Sequence, residues 1–314
     1  MSFIKKSIIA LSAICLLFAS CDDEEKGDVV TIGDKQGIVL VTFGSSYPDP
    51  QETFKTIDAS ANTEFLGEEI RWGFTSDLIV NKLRKGEGEG SLNGVIIDND
   101  SPEEMLELMV KDGYSTFAVQ SLHVIPGEEF DELNEAVEAI EAEYDGVHIS
   151  VGKPLLYSDD DIAAVAQIMA AKFATQIEEG PVCFMGHGTP HEANNRYSKL
   201  EVELKKINAN FFVGTVEGIT FESGESSVGS IVEAVDALNL TEKVVTISPL
   251  MSIAGDHANN DMNANTGATD VAEMSWREYF QSAGYTVNAV MKGLGDYEEI
   301  NAIWMSHLEA VMYE

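Results

Sequence analysis

The sequence predicts an α/β protein of two similar domains, each built on a parallel β-sheet, with a cleft between them. From Gly37 onward, apolar runs of strand length alternate with helical patterns, which is typical of parallel sheets. The halves also match each other: Val119–Glu129 aligns with Ile247–His257, and Val151–Leu155 aligns with Val290–Leu294. A duplicated α/β unit is the simplest explanation of these two matches.

The first domain is predicted over residues 37–175. Ser101 is a good N-cap and Pro102 suits the first helical position, so a helix is expected to begin there. The predicted strands are Gly37–Phe43, Ile70–Phe74, Thr116–Val124 and Val147–Pro154. The predicted helices are Pro48–Leu66, Ser76–Lys85, Ser101–Lys111, Glu128–Tyr144 and Asp159–Thr175.

The second domain, predicted over residues 176–314, repeats this scheme. Its predicted strands are Val182–Met185, Phe211–Val216, Val244–Ile253 and Thr286–Val290. Its predicted helices are Asn194–Ile207, Ser226–Leu238, Asp270–Ala283 and Tyr297–Met312. Two such domains leave a cleft outside the carboxyl ends of their strands, where ligands usually bind.

The N-terminal segment has the pattern of an export signal. Lys5 and Lys6 precede the apolar run Ile8–Phe18, and small residues lead to Cys21, so residues 1–21 are predicted to be a lipoprotein-type signal peptide. The apolar run is too short to span a membrane comfortably. We expect an exported lipoprotein anchored through lipid on Cys21, facing the periplasm or exposed on the outer membrane. The acidic, polar residues 22–36 are predicted to form a flexible tether.

Composition narrows the choice of partners. The chain has 54 acidic and 19 basic residues and a formal charge of −35, so its surface repels nucleic acid and anionic lipid.

After loss of Cys15 with the signal and acylation of Cys21, Cys183 would be the remaining thiol, which excludes an intramolecular disulfide. The oligomeric state stays open, with a homo-oligomer among the options.

Two histidines and a glutamate form the candidate metal site. His187 lies between two glycines after one predicted strand, Glu217 follows the next, and His257 follows a third. Imidazole suits first-row transition metals, a carboxylate adds charge neutralisation, and three ligands leave a position open for a reacting group. Because parallel strands end at the same edge, we expect His187, Glu217 and His257 to hold one divalent metal ion.

Other polar residues near these strand ends have two interpretations each. Asp256 either orients the imidazole of His257 or caps the following turn. His191 is expected to line the cleft or to lie near a helix N-cap; a zinc-protease motif is excluded because Gly188 stands where that motif needs glutamate. His123 either faces the cleft or is packed in the core, and Ser45 lies in a turn suited to touching a ligand.

Several separated motifs follow one another in an order typical of one family. They are Val41–Tyr47, Gln120–His123, Gly127–Glu129, Met185–Thr189 with His191, Asn194 and Tyr197, Gly214–Gly218, Pro249–Met251, Ala254–Ala258 and Asn260–Met262. Together these motifs resemble the CbiK-type anaerobic sirohydrochlorin cobaltochelatases, and the resemblance covers essentially Gly37 to the C terminus.

The resemblance implies the chelatase fold, two similar Rossmann-like domains with a tetrapyrrole in the cleft between them. It also implies that His187, Glu217 and His257 hold the metal, and that the reaction inserts it into the macrocycle and releases two protons. His187 and His257 are expected to be catalytic, since neutral imidazole binds metal or accepts a proton. Ser45, His123 and His191 are expected to contact the tetrapyrrole. The expected substrate metal is Co²⁺, while Fe²⁺ and Ni²⁺ suit the same ligands.

Three features depart from that family: the export signal, a longer segment around Thr220–Ser227, and an apparent insertion at Gly86–Asp100. The high negative charge would also repel a tetrapyrrole with many carboxylates unless local cations compensate. The candidates for that compensation are Arg71, Lys153, Arg196 and Lys199.

Two main hypotheses therefore remain at the level of the sequence. The first is an exported chelatase that inserts Co²⁺ or another divalent metal into sirohydrochlorin or a related tetrapyrrole. The second is a surface lipoprotein that captures haem or metal for uptake, which the export signal favours. A metal-binding lipoprotein without tetrapyrrole chemistry is a weaker third.

Overall fold

Two parallel four-stranded sheets organise the described chain. The computed structural model of the protein describes residues 33–218, 220–221, 224–225 and 227–312, with the backbone alone at 220, 221, 224 and 225. The strands are β1 (Lys35–Thr42), β2 (Glu69–Phe74), β3 (Tyr114–Ser121), β4 (His148–Gly152), β5 (Val182–Gly186), β6 (Phe211–Thr215), β7 (Thr220–Phe221), β8 (Gly224–Glu225), β9 (Val244–Pro249) and β10 (Thr286–Ala289).

The helices cover both sheets. They are α1 (Pro48–Glu64), α2 (Asp77–Arg84), α3 (Pro102–Lys111), α4 (Glu128–Glu143), α5 (Asp159–Lys172), α6 (Gln176–Glu179), α7 (Asn195–Ile207), α8 (Val228–Asp236), α9 (Trp276–Ser282) and α10 (Glu298–Val311). Among the described residues, no helix combines the length and apolar character needed to cross a membrane. The predicted signal peptide and most of the predicted tether lie outside the described residues, and β1 begins at Lys35, within the last two residues of that tether.

The two large sheets have the same topology. The first has the strand order β2-β1-β3-β4, and the second has the order β6-β5-β9-β10, with parallel pairing throughout. The matching segments Val119–Glu129 and Ile247–His257 begin in β3 and β9, which occupy the same place in their sheets. The α/β fold class and the internal duplication are therefore confirmed.

The apolar core runs through both halves. Every residue of β5 and β6 is buried, as expected for parallel strands covered on both faces. One cluster of buried side chains contains Leu40 of β1, Phe184 of β5 and Trp304 of α10. Because α10 packs against β3 and β4, the end of the chain returns to the first sheet. The division of the domains at residue 175 stays a prediction.

Local signals explain where the elements begin. Ser101 forms a capping box in which its Oγ accepts from the Glu104 N–H and the Glu104 carboxylate accepts from the Ser101 N–H. The predicted helix start at Ser101 and Pro102 is confirmed.

Most predicted elements agree with the observed ones to within a few residues, and two differ more. The strand predicted over Val244–Ile253 ends at Pro249, which has no N–H to donate to the ladder. The helix predicted over Asp270–Ala283 is a 3₁₀ turn followed by α9, because Ser275 caps a new helix start with Glu278. The first correction matters for the site, since it places His257 well beyond the end of β9, at the start of the short helical turn Ala258–Met262.

Candidate functional site

A cleft of about 570 Å³ opens at the carboxyl ends of both sheets. Its wall contains segments that follow five strands, three in the first half of the chain and two in the second. These segments are Phe43–Tyr47 after β1, Ser76–Lys82 after β2, His123–Ile125 after β3, His187–Thr189 after β5 and Met251–Ile253 after β9. The expectation that strand-end residues converge on one cleft is confirmed for these segments.

Two glycines shape the loops after β1 and β5 in the same way. Gly44 and Gly188 have φ angles of 92° and 88°, in the left-handed region that favours glycine. A Cβ on Gly188 would lie 2.9 Å from the side chain of Thr215 and 3.0 Å from the Cβ of Glu217. Only glycine therefore lets the loop after β5 turn toward the cleft while resting against the end of β6.

His187 and His257 meet in the cleft wall. Their ring centroids are 4.8 Å apart and the ring planes are inclined by 73°. The Nδ1 atom of His187 lies 2.7 Å from the carbonyl oxygen of Gly188, which can only accept a hydrogen bond. Nδ1 therefore carries the hydrogen, and the lone pair of neutral His187 is on Nε2.

The same argument applies to His257 with a carboxylate as acceptor. Its Nδ1 lies 2.8 Å from Oδ2 of Asp261, so Nδ1 donates and Nε2 holds the lone pair of the neutral ring. A π-helical turn over Ala258–Met262 follows His257 and carries Asp261 back to the ring. Sequence reasoning missed Asp261, although its spacing of four residues from His257 was a usable signal.

Of the two roles considered for Asp256, orientation of the His257 ring is not observed. Its Oδ1 accepts from the side-chain amide of Asn260 at 3.0 Å, and that amide also lies 3.2 Å from the hydroxyl of Tyr47 in the other half of the chain. Asp256 thus stabilises the turn that carries Asp261, and the orienting contact belongs to Asp261.

The main chain of Glu217 is hydrogen-bonded to the main chain of His187. The N–H of Glu217 donates to the carbonyl of His187 at 3.0 Å, but its side chain is exposed and does not line the cleft. Within the described ranges, Asp256, His257 and Asp261 form one group of candidate ligands in which one ligand atom from each residue lies within 4.8 Å of those of the other two. The structure thus brings His187 and His257 together, and the role of Glu217 as third metal ligand stays a prediction.

The three residues predicted to contact the tetrapyrrole have different positions. Ser45 lines the cleft, and its Oγ accepts from the N–H of Tyr47 at 3.1 Å. His123 also lines the cleft and is buried. His191 is outside the cleft wall; its Nδ1 accepts from the N–H of Ala193 and its Nε2 lies 3.2 Å from Asp131. Of the two positions considered for His191, the helix-start position is observed.

Burial favours the uncharged forms of two residues that line the cleft, His123 and Tyr197. Desolvation lowers the pKa of His123 to about 4, with the nearby charge of Glu129 opposing the shift. Desolvation likewise raises the pKa of the Tyr197 hydroxyl far above its usual range, and backbone hydrogen bonds to His187 and Gly188 oppose it only in part.

The cations proposed from the sequence lie elsewhere. Arg196 and Lys199 pair with Asp159, Arg71 pairs with Glu69 and Asp112, and Lys153 lies over the ring of Tyr157. None of the four lines the cleft, so they are not observed as compensating cations there, and the alternative interpretation of them as surface charges fits the structure. They pair on the surface because acidic neighbours are so abundant.

Among the described residues that line the cleft, Lys82 is the one with a permanently basic side chain, since no other lysine or arginine lines it. It forms an ion pair of 2.6 Å with Glu89, and the carboxylates of Glu129 and Asp256 also line the cleft. Lys82 escaped notice because the helical pattern of α2 marked it only as a surface position. The cleft thus has no excess of positive charge.

Comparisons with known proteins agree with this geometry. The sequence model of a family described as "Cobalt chelatase (CbiK)" matches residues 36–313. The sirohydrochlorin cobaltochelatase CbiKC of Nitratidesulfovibrio vulgaris is 30% identical over 88% of this chain and 91% of its own length. A sirohydrochlorin cobaltochelatase of Salmonella typhimurium is 28% identical over 88% of this chain and 97% of its own length.

Solved structures support the fold. SirB from Bacillus subtilis, with Fe³⁺, superposes with a TM-score of 0.55 at 13% identity, covering 88% of this chain and 94% of SirB. The sirohydrochlorin chelatase SirB of Bacillus subtilis subspecies spizizenii, in complex with cobalt, gives a TM-score of 0.53 at 12% identity with the same coverage. The two-sheet chelatase fold predicted for this chain is confirmed.

Proposed function

This chain belongs to the cobalt chelatase (CbiK) family, and on that premise we propose that it is a metal chelatase that inserts Co²⁺ into sirohydrochlorin. The observation that carries the proposal is the pair of imidazoles, His187 and His257, 4.8 Å apart in the wall of a cleft between two parallel sheets. Two relatives that match over most of this chain and most of their own length are named sirohydrochlorin cobaltochelatases. They do not favour the haem-capture alternative.

The metal enters this scheme as a substrate. Both Nε2 atoms carry lone pairs because Nδ1 of each ring donates to a fixed acceptor, Gly188 in one case and Asp261 in the other. Two neutral imidazoles suit Co²⁺, and Fe²⁺ or Ni²⁺ accept the same ligands. Glu217 is proposed as the third ligand. Its exposed carboxylate would reduce the charge of the ion without enclosing it, so the ion stays free to leave.

Insertion exchanges two pyrrole N–H protons for the metal. While His187 and His257 bind the ion, their Nε2 lone pairs are occupied. When the ion passes to the macrocycle nitrogens, the lone pairs become free to accept the two protons. The same pair thus serves as ligand and then as base, which neutral histidine does readily near neutral pH. Asp261 would stabilise the positive charge that then appears on His257.

The rim of the cleft offers apolar surface on which the flat ring of a macrocycle could rest. The volume of the cleft is within the usual range for small-molecule sites, and its rim exposes Phe43 by 49% and Leu78 by 75%. Large apolar side chains that are exposed around a concave site usually mark a ligand or partner. A macrocycle seated there would cover both.

The test measures metal insertion directly. Protein without the predicted signal peptide, residues 1–21, is mixed with sirohydrochlorin and Co²⁺. The absorption change is followed, with Fe²⁺ and Ni²⁺ in parallel. His187→Ala and His257→Ala should each lower the rate at least tenfold, as losing an inner ligand costs no less than losing a partner of one. His148→Ala is the control, since His148 is exposed at the start of β4. Wild-type insertion no faster than the uncatalysed reaction would refute the proposed function.

We also propose that the protein is exported and anchored by lipid on Cys21, which lies outside the described residues. The support is the basic, apolar and small-residue pattern of residues 1–21. Metabolic labelling with a palmitate analogue should mark the wild-type protein and not Cys21→Ser. A labelled Cys21→Ser protein would contradict the anchor, while protease accessibility on intact cells distinguishes the cell surface from the periplasmic side.

A further inference from the structure

One face of α2 presents an apolar and a basic side chain to the cleft. Leu78 and Lys82 are four residues apart in this helix, so they lie on the same side of it, with Cβ atoms about 5–6 Å apart. Both residues line the cleft, where Leu78 is 75% exposed and the side chain of Lys82 is 30% exposed. An apolar surface with a cation one helical turn away suits a flat ring that carries carboxylates at its edge.

The ammonium group of Lys82 is paired with a carboxylate of the protein itself. Its Nζ donates to Oε1 of Glu89 at 2.6 Å. This hydrogen bond is the main reason why the pKa of Lys82 is raised, and the negative charge of Asp256, in the second half of the chain, adds to the effect. Lys82 therefore carries its charge at neutral pH, and Glu89 balances that charge.

The partner of Lys82 comes from residues 86–100, the apparent insertion relative to the family, which we call the inserted segment. The main-chain N–H of Glu89 donates to the carbonyl of Ser46 at 2.7 Å, in the loop after β1 that also lines the cleft. The main-chain N–H of Glu87 donates to the carbonyl of Lys82 at 2.9 Å. Two main-chain hydrogen bonds thus attach the inserted segment to the cleft loop and to α2, on either side of the ion pair.

The rest of the inserted segment is also fixed to the fold. Leu92 and Ile97 pack against an apolar cluster that contains Leu83 of α2. Arg84, the last residue of α2, forms ion pairs with three carboxylates, those of Asp98, Asp100 and Glu104. The position of Glu89 next to Lys82 is therefore set by the packing of the whole segment.

The ion pair itself can be broken at little cost. The side chains of Lys82 and Glu89 are 30% and 45% exposed, and ion pairs of such exposure contribute little to stability. The exposure of Glu89 also lets its carboxylate turn into water. A ligand that covers the cleft would exclude water from Lys82, which strengthens the attraction between the ammonium group and a carboxylate of that ligand.

We propose that Lys82 exchanges Glu89 for a carboxylate of the bound tetrapyrrole, so that Lys82 recognises the substrate and Glu89 competes with the substrate for it. The inference rests on the proposed function for the identity of the ligand. The exchange replaces one ion pair by another and moves no proton. A ring without carboxylates at its edge cannot displace Glu89, so the pair favours a carboxylated macrocycle, and the return of Glu89 to Lys82 assists release of the product.

The experiment measures binding of metal-free sirohydrochlorin to the protein by absorption titration. Lys82→Gln should weaken binding about fivefold, because a hydrogen bond between charged groups is lost while the pair with Glu89 no longer has to be broken. Lys82→Arg keeps the charge and should retain most of the affinity. Glu89→Gln should strengthen binding about threefold, because the competing carboxylate is gone. The matched controls are Lys85→Gln and Glu87→Gln, which remove the same charges at exposed positions of the same helix end and segment, outside the cleft wall.

A double variant separates exchange from simple repulsion. In protein that already carries Lys82→Gln, Glu89→Gln should give no further gain, since the two carboxylates no longer compete for a cation. Fully methyl-esterified sirohydrochlorin should bind to wild type and to Lys82→Gln no differently.

Three results would overturn the inference: a Lys82→Gln protein that binds sirohydrochlorin as wild type does, a gain from Glu89→Gln that persists without Lys82, or control variants with equal effects. Sirohydrochlorin binding with the expected variant effects but without Co²⁺ insertion would refute the proposed function alone, because the exchange is measured without metal. A wild-type protein that does not bind sirohydrochlorin would refute both.

Discussion

Removal of Asp261 should show how much the orientation of the His257 ring contributes to metal binding, because the imidazole proposed as ligand stays in place. In Asp261→Ala, His257 keeps its imidazole but loses the acceptor 2.8 Å from Nδ1, so the hydrogen can move to Nε2 and block the metal. Loss of such an outer partner typically costs 10–100-fold in metal affinity or activity. Because the Asp261 side chain is 44% exposed, water can partly replace it. We therefore expect about tenfold, equivalent to about 1.4 kcal/mol.

The assay is Co²⁺ affinity by calorimetry together with steady-state insertion at varied Co²⁺. Asp261→Asn keeps an acceptor oxygen, so it should lose less affinity than Asp261→Ala. Asp145→Ala is the control, since Asp145 is exposed in the loop that enters β4, at the opposite edge of the sheet from the cleft. Affinity for metal-free sirohydrochlorin should not change. A Co²⁺ affinity for Asp261→Ala equal to that of wild type would refute the orientation argument.

Three further predictions test the loop, the third ligand and the buried histidine. Gly67→Ala should cost about 1–2 kcal/mol of unfolding free energy, because Gly67 has a φ of 93° but no neighbouring atoms that a Cβ would meet. Gly188→Ala should cost more, because Gly188 combines a positive φ with close contacts to Thr215 and Glu217. Denaturant titration measures both costs, and equal values would contradict the close-packing argument. Glu217→Gln should lower Co²⁺ affinity at least tenfold if Glu217 is a ligand, and an unchanged calorimetric Kd would remove it from the site. Between pH 6.5 and pH 4 the unfolded chain takes up a proton that native His123, with its pKa lowered to about 4, does not bind. The free energy of unfolding should therefore fall by up to about 3 kcal/mol on acidification through that window, and titrations at several pH values should show a smaller fall for His123→Phe.

The fold could be predicted because the periodic signals are strong and repeated. Alternation of short apolar runs with amphipathic segments identified the strands of both large sheets, and the two internal matches indicated the duplication that the strand orders confirm. Errors arose where one residue overrides a trend, as Pro249 does at the end of β9 and Ser275 does before α9. Such local decisions depend on hydrogen bonds that a hydrophobic pattern does not encode.

The site could be predicted only in part. His187 was identified as a candidate because it shares a strand-end position with His257, and the approach of the two rings follows from the neighbouring positions of β5 and β9. Asp261 was missed because its contact depends on a π-helical turn, and Lys82 because its helix offered no reason to prefer the cleft. Contacts of this kind depend on backbone irregularities and pairings that form only in the folded chain.

If the proposed function is correct, the duplicated architecture would let one cleft bind a metal and a macrocycle without holding either too firmly. The residue that directly follows β5 is His187, and its equivalent after β1 is Phe43; each precedes a left-handed glycine. The polar residues that matter are therefore distributed unevenly between halves that share a backbone. Under the proposed function, an ion held on one side by the imidazoles of His187 and His257 would meet a macrocycle supported from the other side by apolar surface. Because the cleft wall carries no excess of positive charge in its described part, transfer of the ion to the macrocycle would leave no strong attraction that retains the product.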